Sequence, residues 1–281
     1  MYVKAYAKIN LFLDVLSKRD DGYHNLDMVM LPLELHDLIL IDSSPSLKDN
    51  FITTDHVDLQ VTKYNLITAT LKEMDKRYDI KKKFIVNVHK EIPISAGLGG
   101  GSSNAAAVIK AIEHLTKLKL SPEEEVDLGA SLGADVPYCL ANKPAHVEGI
   151  GEKVTPIKMK KKYDVIIIKP SEGLSTKKVF TVSDEMELDH GDVNQVIKAL
   201  ETGDDELLEK SLFNSLEKAS ISLVPEIQKV KDTLKAMGFK LVLMSGSGSS
   251  VFALTTDHKF AMSKYRELER KGYEVYLTRT L

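Results

Sequence analysis

This 281-residue chain has little that would commit it to a polymer, a membrane or an oxidising compartment. Its single cysteine, Cys139, excludes an internal disulfide, and its place between Tyr138 and Leu140 predicts a buried thiol. Zinc-type ligand spacing is missing, so any metal is expected to arrive with a bound ligand. No apolar run reaches membrane-spanning length, and Lys4 and Lys8 break what would be the apolar core of a secretory leader. A cytoplasmic protein without membrane contact is therefore expected. The net charge of −3 lacks the basic excess that nonspecific nucleic-acid binding needs. The short lysine runs at 81–83 and 158–162 read as solvated turns. At 43% hydrophobic content the chain can still bury a substantial core and fill two domains.

What the chain has is a glycine run. Gly97, Gly99, Gly100 and Gly101 fall within five residues and lead into Ser102, Ser103 and Asn104. Glycine lets the backbone take positive φ and approach a ligand closely, and a following helix offers unpaired N–H groups at its positive end. The helix is visible in Ala105, Val108, Ile109, Ile112 and Leu115, spaced by three and four, with Lys110, Glu113 and Lys117 on the other face. Upstream, Phe84, Val86 and Val88 alternate as a strand does. A strand, a glycine loop and a helix in this order suit a phosphate. A Walker A loop would need a lysine after its last glycine, where this chain has Ser102, Ser103 and Asn104. A dinucleotide fingerprint would need a third glycine where Ser102 stands. A plain glycine-rich surface turn remains as an alternative.

Two other segments carry unusual chemistry. From Val3 to Leu13 the aliphatic residues alternate with Lys4, Tyr6, Lys8, Asn10 and Phe12, placing Lys8 and Asn10 on the face opposite the aliphatic one. There, Lys8 is either solvated or functional. Asp21-Gly22 then makes a turn that delivers Tyr23 and His24 together. Beyond the glycine helix, Asp135 stands alone among small and apolar residues, as either a reactive acid or a helix N-cap. Glu123, Glu124 and Glu125, by contrast, follow Ser121-Pro122 as an ordinary first helical turn.

Three segments together resemble the GHMP kinases. The glycine run fits P-x-x-x-G-L-G from Pro93, the C-terminal Ser245-Gly246-Ser247-Gly248-Ser249-Ser250 is similar to the family's third motif, and Gly133-Ala134-Asp135-Val136-Pro137 looks like its aspartate motif. The extra Gly100 and Gly101, with Ala7-Lys8-Ile9-Asn10-Leu11 and Gly22-Tyr23-His24, are similar to the branch that acts on 4-diphosphocytidyl-2-C-methyl-D-erythritol. The resemblance implies an ATP-dependent small-molecule kinase in non-mevalonate isoprenoid synthesis, with Lys8 and Asp135 as its catalytic pair. It implies ATP contacts from Pro93, Gly97, Leu98, Gly99, Gly100, Gly101, Ser102, Ser103, Asn104, Lys90 and Asn65. Mg2+ would be held through Ser102 or Ser103. For the substrate it implies Asn10, Tyr23, His24, Thr176, Phe180, Gly246, Ser247 and Gly248. Tyr23 and Phe180 would stack on cytosine, and His24 would read its edge through backbone-like donor and acceptor positions. Another GHMP enzyme, such as a homoserine or mevalonate-type kinase, or a noncatalytic nucleotide-binding member, would share the loop.

The expected fold class is α/β (α+β). The resemblance divides the chain into an N-terminal GHMP kinase domain over 1–155, like domain 2 of ribosomal protein S5, and a ferredoxin-like C-terminal domain over 156–281, with the active site between them. Apolar patterning predicts strands at 163–169, 240–244, 251–255 and 274–278, and helices at 193–200, 205–216 and 225–237, with a last helix before the final strand. The expected state is a monomer or weak homodimer.

Overall fold

A computed structural model describes residues 1–44, 46–56 and 65–281. In chain order the elements are β1 (Tyr2–Lys18), β2 (His24–Ser44), β3 (Phe51–Thr54), α1 (Leu66–Tyr78), β4 (Lys83–His89), α2 (Gly100–Thr116), α3 (Pro122–Leu132), α4 (Val136–Ala141), β5 (Ala145–Gly149) and β6 (Lys153–Pro156). There follow β7 (Asp164–Lys169), α5 (Thr176–Ser183), α6 (Val193–Thr202), α7 (Asp205–Ser211), β8 (Phe213–Asn214), α8 (Glu217–Leu223), α9 (Glu226–Ala236), β9 (Leu241–Met244), β10 (Val251–Thr255), α10 (His258–Arg270) and β11 (Glu274–Arg279). Contacts group the chain into two compact units. The first holds Met1–Ala7, Leu35–Ile92 and Gly99–Asn142, and the second holds Lys8–Glu34, Pro93–Leu98 and Lys143–Leu281.

In the first unit, β4 pairs antiparallel with β2 from Leu38 to Ser44 and parallel with β3. The alternation seen in the sequence is real: Phe84, Val86 and Val88 are buried, and Lys81 and Lys82 are exposed. Helices α1 to α4 pack around α2, whose buried stripe of Ala105, Val108, Ile109 and Ile112 meets Ile39, Ile41, Ile67 and Leu71. Local chemistry marks the helix starts. The Ser121 hydroxyl accepts from the Glu124 N–H while the Glu124 carboxylate accepts from the Ser121 N–H, which is the expected capping box. Cys139 is only half-buried, because burial in the six-residue α4 covers its first half, Val136 to Tyr138, and not Cys139, Leu140 and Ala141, so the buried thiol read from its neighbours is corrected.

The second unit contains a four-stranded antiparallel sheet in the order β11-β7-β10-β9. With α9 and α10 packed on it, this is the βαββαβ arrangement expected of a ferredoxin-like half. Val165, Ile166, Ile167, Phe252 and Leu254 form its core, and Ile227, Val230, Ala261 and Leu268 of the two helices are buried as well. Also in this unit, β1 runs parallel to β8 at Phe12 and Leu13, and β5 links β2 to β6. The helix expected at 205–216 ends at Ser211, because Phe213 and Asn214 extend to pair with β1. Helices α5 and α8 were not anticipated: at eight and seven residues they are too short to show a period.

Candidate functional site

In the first unit the glycine run from Gly99 onward opens α2. Gly99 is the N-cap of α2 in the left-handed region, at φ 70°, where a side chain would be strained. No side chain caps this helix and its first turn holds no acid; α4, α5, α8 and α9 also lack a side-chain cap, but α2 is the one that follows the glycine run. A helix start of this kind, with the positive end of its dipole, favours an anion. Ser102 lies near Gly133, with its hydroxyl 3.9 Å from where a Cβ on that glycine would stand. So the loop and the turn bearing Asp135 meet. Asp135 occupies the N-cap position of α4, and its carboxylate makes no capping bond to the start of that helix. Ser103 is buried and Gly101 exposed.

Beneath the loop lies a group with no signal in the sequence. Asp37 of β2 is fully buried and accepts four donors: the Glu91 and Ile92 N–H groups at 2.9 Å each, the Asn104 amide at 2.7 Å and the Lys90 ammonium. Lys90 and Asn104, both expected to meet ATP, are therefore held by one carboxylate that joins the end of β4 to the first turn of α2. The Lys90 ammonium lies 3.2 Å from a Cβ position on Gly100, against the loop. Asn65 serves as the N-cap of α1, accepting from the Ile67 N–H at 2.8 Å.

In the second unit, Lys8 is 4% exposed, so it is not the solvated lysine that its alternation allowed. Both faces of β1 are covered there, as the burial of Ala7 through Val15 shows. Its ammonium donates to Asn10 Oδ1 at 2.7 Å, and Asn10 Nδ2 contacts Met28 Sδ at 3.6 Å. The turn at Gly246 comes up to the same ammonium, 3.3 Å from its own Cβ position. Pro93 to Leu98 belongs to this unit too: the Lys8 N–H donates to the Leu98 carbonyl at 3.0 Å, and the Ser245 hydroxyl donates to the Gly97 carbonyl at 3.0 Å. Gly97 has φ 73°, and any Cβ there would fall on the Ser245 carbonyl oxygen. The hydroxyls of Thr176 and Ser247 share a 2.9 Å hydrogen bond beside Gly248. Asn214, which the sequence reading passed over, donates to the Met244 and Gly246 carbonyls at 3.0 and 2.8 Å and so sets the shape of this glycine turn.

Of the three residues expected at the base, two are brought together. The His24 ring stacks on Phe180, centroids 4.7 Å apart and planes at 27°. Tyr23, the third, is 57% exposed. Sequence reasoning missed Asp184, which accepts from His24 Nε2 at 2.6 Å and from Lys18 at 2.5 Å. Lys18 first, then His24, holds the Asp184 carboxyl below the usual aspartate value. Nothing local marks this acid, since its partners lie in β1 and β2.

A glycine loop at a helix start without a side-chain cap, near an aspartate that does not cap its own helix, is compatible with a nucleotide-dependent phosphotransferase. The chain belongs to the GHMP kinase family: the family's N-terminal domain matches residues 65–143 and its C-terminal domain matches 196–274, and full-length relatives agree. One of these is the 4-diphosphocytidyl-2-C-methyl-D-erythritol kinase of Clostridium botulinum, 37% identical with both chains covered completely. That of Clostridium kluyveri is 38% identical, again over the whole of both. Among solved structures, a 4-(cytidine 5'-diphospho)-2C-methyl-D-erythritol kinase matches with a TM-score of 0.83 and 28% identity, covering 100% of this chain and 99% of the other. Homoserine kinase from Cytophaga hutchinsonii matches in fold, with a TM-score of 0.75, 19% identity and coverage of 100% and 94%. Among the described residues no helix is long and apolar enough to cross a membrane.

Proposed function

We propose that this chain transfers the γ-phosphoryl group of ATP to the 2-hydroxyl of 4-diphosphocytidyl-2-C-methyl-D-erythritol. The α2 start and Gly97 to Ser103 cradle the phosphates through backbone N–H groups. Asp135 accepts the proton of the attacking hydroxyl as general base, and Lys8 counters negative charge as the phosphoryl group moves. The hydroxyl oxygen forms the new P–O bond, the bond to the β-phosphate oxygen breaks, and ADP leaves. Because such transition states are loose, orientation contributes as much as basicity. Asn10, Thr176 and the Gly246–Gly248 turn hold the methylerythritol diphosphate end. Tyr23, His24 and Phe180 hold the cytosine.

Mg2+ fits this reading as a companion of ATP. Among the described residues no three His, Cys, Asp or Glu side chains are grouped to hold a metal, which suits an ion bound mainly by phosphate and water oxygens. A hydroxyl at Ser102 or Ser103 would complete its shell, and the ion would neutralise phosphate charge. The division into domains 1–155 and 156–281 is supported by the two family matches, which fall on either side of it. The compact units group the residues differently, since β1, β2 and the glycine loop each contribute to both. A cytoplasmic monomer or weak homodimer completes the proposal.

The observation that carries the substrate is the meeting of His24 and Phe180, two branch-specific residues far apart in sequence and stacked in the fold. The test is ATP turnover with 4-diphosphocytidyl-2-C-methyl-D-erythritol, homoserine and mevalonate as competing acceptors, with the phosphorylated product identified. Equal use of the three, or use of another alone, would overturn it.

A further inference from the structure

Asp184 sits where its chemistry limits what His24 can do. A carboxylate can only accept hydrogen bonds, so an imidazole whose Nε2 lies 2.6 Å from Asp184 Oδ1 must carry its proton on that nitrogen. A neutral ring then has a lone pair, and no proton, on Nδ1. Among the described residues no side chain or backbone group is paired with His24 Nδ1. The ring cannot easily turn over, since Phe180 is stacked against its face and the ring is 92% buried, its exposure being 8%. Asp184 is fixed in turn: Lys18 donates to its other oxygen at 2.5 Å, and its own N–H closes the last turn of α5 on the Phe180 carbonyl at 3.0 Å. The stacking residue and the orienting acid are thus one helical turn apart on the same short helix.

We propose that Asp184 is a positioning residue for base selection, fixing His24 as the Nε2–H tautomer so that Nδ1 presents an acceptor to the exocyclic amino group of cytosine and repels the carbonyl oxygen that uracil carries in its place. This rests on the cytidine substrate proposed above. Tautomer control is a common way for a carboxylate to act through histidine. It gives discrimination by sign: one base offers a donor to a fixed acceptor, the other sets two acceptors face to face. With Asp184→Asn, the amide can accept or donate after a flip, both tautomers become tolerable, and uracil is no longer opposed.

The test has two arms. In the first, nitrogen-15 histidine spectra of the full wild-type chain at about pH 8 should show His24 as the Nε2–H form, and those of Asp184→Asn a mixture or the Nδ1–H form. A wild-type ring protonated on Nδ1, or on both nitrogens, overturns the proposal without any variant. In the second, kcat and KM are measured for the cytidine substrate and its uridine analogue. The wild type should prefer cytidine, and Asp184→Asn should reduce that preference roughly tenfold to a hundredfold, while KM for ATP stays put. Equal loss on both substrates, or an unchanged ratio, would mean that Asp184 only holds the fold. Lys18→Met, which keeps the carboxylate, should retain the preference and serves if the asparagine variant folds poorly. A wild type with no turnover of either substrate would sink the substrate assignment itself, and an Nε2–H spectrum would still stand as the orienting contact.

Discussion

Asp37→Asn probes the carboxylate under the glycine loop with almost no change of volume. The amide keeps one oxygen for the Glu91 and Ile92 N–H groups but turns an NH2 toward Lys90 and Asn104, both of which donate to that position. The Lys90 side chain is 4% exposed, so its ammonium is left charged, buried and facing another donor. Breaking a buried pair from one side costs about 3 to 5 kcal/mol, against a total stability of roughly 5 to 15 kcal/mol for a folded domain. Asp37→Asn should therefore lose about that amount in urea unfolding followed by circular dichroism. Lys90→Met leaves the acid three donors and should lose less. The double variant, which removes both charges, should be more stable than the sum of the single losses predicts. A loss under about 1 kcal/mol for Asp37→Asn, or strict additivity, would refute the view that this carboxylate ties β4 to α2.

Asp135→Asn should lower turnover by about a hundredfold or more while calorimetry still shows ATP binding, and a double variant with Lys8→Met should be little worse than the worse single one. Near-normal turnover would remove Asp135 as the base. Gly22 and Gly97 both have positive φ, but a Cβ on Gly22 meets nothing within 4 Å and one on Gly97 meets the Ser245 carbonyl. Gly22→Ala should cost about 1 to 2 kcal/mol from the backbone alone, and Gly97→Ala clearly more, so equal losses would contradict the close approach. Tyr138 is 1% exposed, its hydroxyl has no hydrogen-bond partner among the described residues, and burial first, with Cys139 and Asp135 adding, pushes its pKa well up. Tyr138→Phe should thus be neutral or stabilising by about 1 kcal/mol, and a clear loss in urea midpoint would reveal a partner for the hydroxyl. Because the Asp184 pKa is lowered in the fold, its stabilisation is present above the ordinary value of 3.8 and is lost as pH falls through the folded value. The stability gap between wild type and Asp184→Asn should accordingly be flat near neutral pH and close under strongly acid conditions, and a gap that widens in acid would reverse the assigned sign.

Elements with a strong local pattern were legible before the fold was. The strand through Phe84, Val86 and Val88 and the helix after the glycines follow from periodicity, and the capping box at Ser121 from local hydrogen-bond chemistry. Motifs announced Lys8, His24 and Asp135, because a lone polar group in an apolar or turn setting is conspicuous. What stayed hidden is long-range. Asp37 looks like any strand acid until four donors from β4 and α2 converge on it, and Asp184 looks like a helix-end acid until Lys18 and His24 arrive from the other end of the chain. The half-buried Cys139 shows the converse: apolar neighbours in sequence do not say where along a short helix the core ends.

The glycines of the first motif divide their work in a way that their spacing conceals. Gly99 is needed for the helix entry, since the chain turns into α2 there through a left-handed backbone that a side chain would strain. Gly97 answers to a different constraint. Its carbonyl accepts from the Ser245 hydroxyl, and its missing side chain leaves room for the Ser245 backbone, while the Gly246 Cβ position lies 3.1 Å from the Gly97 carbonyl oxygen in return. The Ser245 backbone requires the glycine at 97, and the Gly97 backbone crowds any side chain at 246. Two motifs separated by most of the chain are thus coupled through a backbone-to-backbone approach that excludes a Cβ on Gly97 and leaves one on Gly246 tightly placed, and Lys8 rests against the same turn. A substitution at Gly246 should for that reason disturb the glycine loop as well as the turn that carries it, and the third motif belongs to the geometry of phosphate binding as much as to that of the acceptor.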